Sequence, residues 1–327
     1  PPIGDTMRTL PDPFEACQRG KRSITVDLRT DEGRAAVYQL VADADIVVHN
    51  MRPGKADKLG VGYEALRAIK PDLIYVFQPG WGSTGPWSQH KSFAPLVSAM
   101  TGLMVAAAGE GNPPVPRARA SEDYYGGFLG AAATLMAVRH RDRTGQGQYI
   151  ESPQFHASLF VVSEHMQDTD GNLLRSMTLD PEQLGIHPLY RLFQASDGWV
   201  GVAAVGDSAH RRLRDEIGLD DASTPAATAA ALTAVAAAST VDELVARLER
   251  AHIACEVALE VPRMPDFFWE DWALDNQYVF EHHDHGTWGY MREVGLTIRL
   301  SRTPGRNAGP GPLLGEHNDE ILGSLQS

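Results

Sequence analysis

The run LIYVFQPG, Leu73 to Gly80, constrains the fold of this chain more than any other segment. It is apolar at successive positions rather than at every second one, a pattern a strand carries when both of its faces are buried. Strands of that kind belong to parallel sheets covered by helices on either side. The neighbouring sequence supplies the remaining parts. ADIVVHN, Ala44 to Asn50, reads as a strand, and SITVDL, Ser23 to Leu28, as another. Between them Thr30 or Asp31 can cap a helix through GRAAVYQLVADA, whose apolar residues recur at helical spacing. YEALRAIK is a short helix, ended by Pro71 and Asp72. The fold class expected is α/β, an open and mostly parallel sheet with helices on both faces.

Further along, helices are expected over Pro95 to Ala107, from about Tyr124 to Arg141, and from Gln154 to Gln167, with a TGQGQ turn leading into the short strand QYIES. A second unit begins near Leu189. YRLFQASDGWVGVAAV reads as a hairpin of two alternating strands around Ser196, Asp197 and Gly198. Helices at about Ala209 to Ile217, Ala226 to Ala238 and Val241 to Ala251 follow, then a strand at Ala254 to Leu259. From about Asn276 the chain returns to strand-like segments and a proline-rich tail. This divides the chain into a large domain over 1–188, a smaller α+β domain over 189–275, and a C-terminal return to the large domain over 276–327.

The 327 residues hold 29 Lys and Arg against 42 Asp and Glu, a formal charge of −13. Such a surface repels nucleic acid and anionic membranes, so neither is an expected partner. Cys17 and Cys255 match no CxxC or metal-ligand spacing, which leaves no disulfide framework and suits a reducing, cytoplasmic setting. The longest apolar stretches, such as Gly126 to Val138, fall short of a bilayer span, and PPIGDTMRTLPDPF carries no targeting pattern.

Two places could carry chemistry. Asp123 stands where SED gives way to a long helix beginning YYGG. A carboxylate at a helix N-terminus is stabilised by roughly 0.3–1 kcal/mol, so capping alone would account for it. Gly126 and Gly127 add to the signal, because a glycine inside a helix costs roughly 1 kcal/mol against Ala. That cost suggests close approach by a ligand or another backbone. The second place is HNMRPGKADKLG, residues 49 to 60, which sets Asn50, Arg52, Lys55 and Lys58 after a parallel strand, where ligands of open α/β sheets bind. Lys21 and Arg22 would add positive charge before SITVDL, and together these cations suit a phosphate-bearing ligand. Three other features are weaker. GWGSTGPW has Gly-x-Gly-x-x-Gly spacing, but Pro86 follows and no helix opens there. EHHDH, Glu281 to His285, reads as a solvated turn rather than a metal site, since adjacent strand residues point to opposite faces. Trp81, Trp87, Tyr124 and Tyr125 lie near the two Gly-rich places and hint at a pocket of moderate size.

The chain resembles the class III CoA-transferases, the family of formyl-CoA transferase, carnitine CoA-transferase and alpha-methylacyl-CoA racemase. The resemblance is carried by GKRSITVDLRTDEGR, ADIVVHNMRPGKADKLGVGYEALRAIKPDLIYVFQPGWGSTGP, SAMTGLM, EDYYGGFLGAAATLMAVRHRDRTGQGQYIESP, YRLFQASDGWVGVAA and GPLLGEHNDEIL, in family order over nearly the whole chain. It implies a Rossmann-like large domain that binds coenzyme A, an interlocked homodimer, and an aspartate nucleophile at the start of the long helix, here Asp123. It implies a CoA-contacting loop at Asn50, Met51, Arg52, Lys58 and Leu59, and a basic segment at Gly20, Lys21 and Arg22 on the nucleotide side. The substrates implied are an acyl-CoA and a carboxylic acid, with coenzyme A as the transferred group and no metal. Two departures stand out. Family members normally begin with a further strand and helix before the segment that resembles PPIGD, and that portion is absent from this sequence, as it would be in one half of a split or tandem CoA-binding protein. Where the racemase branch resembles a His-Asp proton-transfer pair, Phe93 and Ala94 stand, followed by Pro95, and none of these can exchange a proton.

Overall fold

Strands β1 (Ile46–His49), β2 (Ile74–Phe77) and β3 (Tyr149–Glu151) form a parallel sheet with β2 at its centre. Val48 faces Val76, and Val76 faces Ile150 across the ladder. All of β2 is buried, as its unbroken apolar character requires. The computed structural model describes residues 4–116, 121–174, 177–260 and 266–325. The chain divides into two units, one of Pro1–Ala44, Asp57–Lys70 and Arg263–Ser327, the other of Asp45–Ala56 and Pro71–Pro262.

Helices α1 (Pro11–Gln18), α2 (Asp31–Asp43), α3 (Lys55–Lys58) and α4 (Tyr63–Ile69) come before β2 in sequence. Thr30 caps α2 by accepting a 3.0 Å bond from the Gly33 N–H. After β2 come α5 (Ala94–Met100), α6 (Leu103–Ala108), α7 (Ser121–Thr144) and α8 (Gln154–Val161). The long α7 lays Ala137 and Val138 against Ile74 and Val76 of the sheet, and Ile46 and Ile150 complete that core.

A second, antiparallel sheet runs in the order β4 (Gly185–His187), β5 (Tyr190–Gln194), β6 (Trp199–Ala203), β7 (Ala254–Ala258). The hairpin expected around Ser196 to Gly198 joins β5 to β6, closed by Ala195 N–H on Gly198 O at 2.8 Å. Helices α9 (Gly206–Ile217), α10 (Pro225–Ala237) and α11 (Val241–Arg250) cover this sheet and share its core of Leu189, Phe193, Val200, Leu213, Leu232 and Leu244. Thr240 and Glu243 form a reciprocal capping box at the start of α11. The chain then makes α12 (Asp271–Asp275), the antiparallel pair β8 (Val279–His285) and β9 (Gly289–Val294), and α13 (Asn318–Ser324). The α/β class expected from the strand pattern is the one observed.

Five local expectations are corrected. SITVDL is not a strand: its Ser23 and Thr25 N–H groups bond to the side chains of His317 and Asn318, so the C-terminal segment takes the place of a ladder partner. The helix expected over 95–107 is two helices, α5 and α6, broken at Gly102, which adopts φ +79°. Helix α7 begins at Ser121 rather than Tyr124, and α8 stops at Val161 rather than Gln167. EHHDH lies in β8, not in a turn, and its histidines are spoken for: His282 meets Glu293 at 2.8 Å and His285 meets Glu15 at 3.0 Å. Among the described residues no group of His, Cys, Asp and Glu has metal-site geometry, and no helix is long and apolar enough to cross a membrane.

Candidate active site

In the second unit the carboxyl ends of the three parallel strands deliver the candidate groups. Chain leaving β1 carries Asn50, Met51 and Arg52, with Asn50 and Arg52 exposed and the Met51 N–H bonded to His49 Nδ1 at 3.2 Å. Chain leaving β2 carries Gln78, Pro79 and Gly80, and chain leaving β3 carries Ser152, Pro153 and Gln154. Open α/β sheets bind ligands at this edge, because loops diverge there and leave a crevice.

Helix α7 is anchored to the same edge. Gln78 Nε2 donates to the Gly126 carbonyl at 2.9 Å, and a side chain on Gly130 would overlap that amide, so glycine at 130 lets helix and strand end approach. Gln154 Nε2 donates to Asp123 Oδ1, tying the start of α8 to the first turn of α7. Asp123 is solvent-exposed, while its predecessor Glu122 is 1% exposed and accepts from the Ser98 hydroxyl. Crowding about its carboxyl raises the pKa of Asp123 above the usual 3.8, the Glu122 charge pushes it the same way, and the Gln154 amide pulls it down. The result is a reachable carboxylate, held on one oxygen and made more basic than an ordinary surface aspartate.

Asp123 is the third residue of α7 rather than the residue capping it, so its role is not that of an ordinary N-cap. Gly126 and Gly127 sit beyond the first turn, where backbone N–H groups are committed to carbonyls four residues earlier. The N–H groups of Tyr125 to Gly127 are thus engaged within the helix. Within the chain Gly126 is buried against Gln154, whereas Gly127 faces open space. Trp81 and Trp87 pack on each other and on Phe155, with ring centroids 5.6–6.3 Å apart, so both belong to the packing of the Gly-rich loop. That loop is pinned by Glu151, whose carboxylate accepts the Ser83 N–H at 2.6 Å.

The remaining candidates lie in the first unit. Lys58 is exposed and Leu59 half-buried, and the segment turns at Gly60, whose carbonyl accepts from the Tyr38 hydroxyl at 2.8 Å. Lys21 Nζ donates to Gln18 Oε1 at 3.0 Å, and Arg22 pairs with Glu320 at 2.6 Å. Both members of the Arg22 pair are about 60% exposed, so the guanidinium is readily exchanged to another anion. Next to this segment a cavity of about 280 Å³ is lined by Arg19, Gly20, Phe280, Leu296 and Arg306. Sequence reasoning passed over Gln78, Ser92 and Gln154, since neutral amides and hydroxyls carry no charge pattern. Gly130 was legible in principle, three residues after Gly127 on the same helix.

Comparisons agree on the family. The model of CoA-transferase family III matches residues 1–318. The beta subunit of succinyl-CoA–L-malate CoA-transferase from Chloroflexus aurantiacus is 31% identical, over 98% of this chain and 80% of that protein. Succinate–glutarate CoA-transferase from Agrobacterium fabrum is 32% identical, over 96% of this chain and 80% of its own length. Among solved structures, a CAIB/BAIF family protein from Brucella suis superposes with a TM-score of 0.77 at 30% identity, covering 95% of this chain and 83% of that one. With a family match over nearly its full length, and relatives at 30–32% identity that carry the same class of activity in their names or the same family in theirs, the chain belongs to CoA-transferase family III and is an enzyme of that class.

Proposed function

We propose that this enzyme moves coenzyme A from an acyl-CoA to a carboxylic acid through a covalent thioester on Asp123. The observation that carries the reading is the Asp123 carboxylate itself: exposed, fixed through Oδ1, and raised in basicity by its surroundings. The free oxygen attacks the thioester carbonyl carbon, the C–S bond breaks, and the CoA thiolate leaves with the electron pair, giving a mixed anhydride. The thiolate then attacks the Asp123 carbonyl carbon of that anhydride. The donor acid departs as a carboxylate and a thioester joins Asp123 to CoA. An incoming carboxylate attacks that thioester, expels the thiolate and forms the second anhydride. Attack of the thiolate on the acceptor's carbonyl carbon yields the new acyl-CoA and returns the Asp123 carboxylate. One thioester replaces another throughout, so the exchange runs near thermoneutrality.

On this reading Asn50, Met51, Arg52, Lys58 and Leu59 contact CoA, Lys21 and Arg22 face its nucleotide end, and Gly126 and Gly127 leave room for the pantetheine arm. The exposed cations Arg52 and Lys58 and the loosely held Arg22 support these roles. The small domain, 189–275, would close over the acyl group, and its separate core supports that division. Relatives named for succinyl-CoA, malate and glutarate make a short dicarboxylate the first acceptor to test. Phe93 and Ala94 cannot exchange a proton, which speaks against epimerisation at that place. A homodimer is part of the proposal, supported by apolar side chains left in the open: Phe128, Leu135 and Met136 of α7 are 66–71% exposed.

The test is mass spectrometry after incubation with succinyl-CoA and other acyl-CoAs. A CoA adduct on the peptide holding residue 123, absent from Asp123→Ala, is the expected result. Turnover retained by Asp123→Ala would refute the assignment.

A further inference from the structure

We infer that Gln154 is a positioning residue for the transfer reaction, held in one amide orientation by Ser92 so that it grips Oδ1 of Asp123 and leaves the other oxygen free to attack. The inference rests on the proposed role of Asp123 and adds to it two residues whose types have no chemistry of their own.

The geometry runs through three contacts. Ser92 Oγ donates to Gln154 Oε1 at 3.1 Å, which turns Nε2 toward Asp123. The opposite amide orientation would set two acceptor oxygens against each other at the carboxylate. Gln154 cannot drift as a unit, because its N–H bonds to the Pro79 carbonyl at 2.9 Å and its own carbonyl accepts from Ser158 Oγ at 3.0 Å. Ser92 is fixed in turn by its seat on Gly80, where an added Cβ would lie 2.1 Å from the Ser92 Cβ. The chain Gly80, Ser92, Gln154, Asp123 thus links the end of β2 and the start of α8 to the reacting carboxylate.

Two consequences follow for the chemistry. A carboxylate gripped through one oxygen attacks from the other with its rotamer already set, which removes the entropy of finding it. In the last step Asp123 leaves as a carboxylate, and the same amide donor stabilises the charge that returns to it. Among the described residues, the charged side chain acting on Asp123 is Glu122 of its own helix, and the group facing it from α8 is the Gln154 amide. Among those groups, loss of the amide leaves the crowding about the carboxyl and the Glu122 charge unopposed.

Exchange of labelled CoA, measured against pH with kcat and KM separated, tests the idea in wild type, Gln154→Leu, Gln154→Glu, Ser92→Ala and Asp123→Asn. Gln154→Leu should lose about tenfold in kcat, with KM for the acyl-CoA unchanged and the acid limb of kcat raised by about one pH unit. Gln154→Glu should move the limb further, and Ser92→Ala less far in the same direction. A fall in kcat with the limb unmoved would make Gln154 merely structural and overturn the inference, as would wild-type behaviour of Gln154→Leu beside an inactive Asp123→Asn. If Gln154→Leu fails to fold, Ser92→Ala decides: an unmoved limb there overturns it. Full exchange by Asp123→Asn would instead remove the role of Asp123, a result distinct from any outcome at 154.

Discussion

A methyl group placed on Gly130 would stand 2.0 Å from Nε2 and 2.8 Å from Cδ of Gln78, so the amide that ties β2 to α7 occupies the volume a side chain at 130 would need. Gly130→Ala must therefore push Gln78 aside and break its bond to the Gly126 carbonyl. Overpacking of this kind costs about 1–3 kcal/mol. Chemical denaturation should show that loss, and Gln78→Ala in the same chain should recover part of it, since the small side chain vacates the contested space.

Gly127 is the opposite case, because among the described residues nothing beyond its own stretch of helix lies within 4 Å of where its Cβ would be. Gly127→Ala should stabilise α7 by up to about 1 kcal/mol through helix propensity. If the pantetheine arm or a second subunit passes there, the same variant loses exchange activity while melting higher. Activity equal to wild type would remove Gly127 from the binding surface.

The raised pKa of Asp123 makes a prediction with a definite sign. Its proton is held more tightly in the folded chain than in the unfolded one, where the carboxyl titrates near 3.8. The ionised form therefore costs stability as pH rises through the folded pKa, and the cost is absent below the unfolded value. Asp123→Asn should melt above wild type at pH 7, the gap should close on acidification below about pH 3.8, and exchange should cease at every pH. A variant that melts lower at neutral pH would contradict the electrostatic picture.

Arg52 and Lys58 are exposed cations expected to meet phosphate or pyrophosphate oxygens. Arg52→Ala and Lys58→Ala should each raise KM for the acyl-CoA by roughly 3–10-fold with kcat preserved. Added salt should weaken binding by wild type more steeply than by the double variant. Equal salt dependence in the two proteins would place the phosphates elsewhere.

The open apolar side chains of α7 give the assembly a handle. Leu135→Glu or Met136→Glu should shift sedimentation toward the monomer if a second copy covers that helix, since a buried unpaired carboxylate is strongly unfavourable. An unchanged sedimentation profile would mean that α7 faces no partner.

The sheet was readable because β2 advertises burial on both faces through four consecutive apolar residues, a local property of the chain. The β5–β6 hairpin and helices α9 to α11 were readable for similar reasons, with alternation, turn residues and capping all local. SITVDL misled because β-branched content reports a preference for extended backbone without saying what will satisfy its N–H groups. Here His317 and Asn318, nearly three hundred positions away, do so.

The candidate site divides along the same line. Asp123 and the basic loop at Asn50 to Lys58 stand at the ends of regular elements, a feature a linear chain displays, while the nucleophile's role for Asp123 is what the family resemblance implies. Gln78, Ser92 and Gln154 do not, because a neutral side chain acquires a role only from the atom it faces. Which amide meets which carboxylate is settled when β2, α7 and α8 pack together, and that packing depends on Gly80 and Gly130 having no side chains where the elements meet. Periodicity and capping thus settle what kinds of element form and set Asp123 near a helix start, while contacts between residues remote in sequence settle its exposure and how it is held.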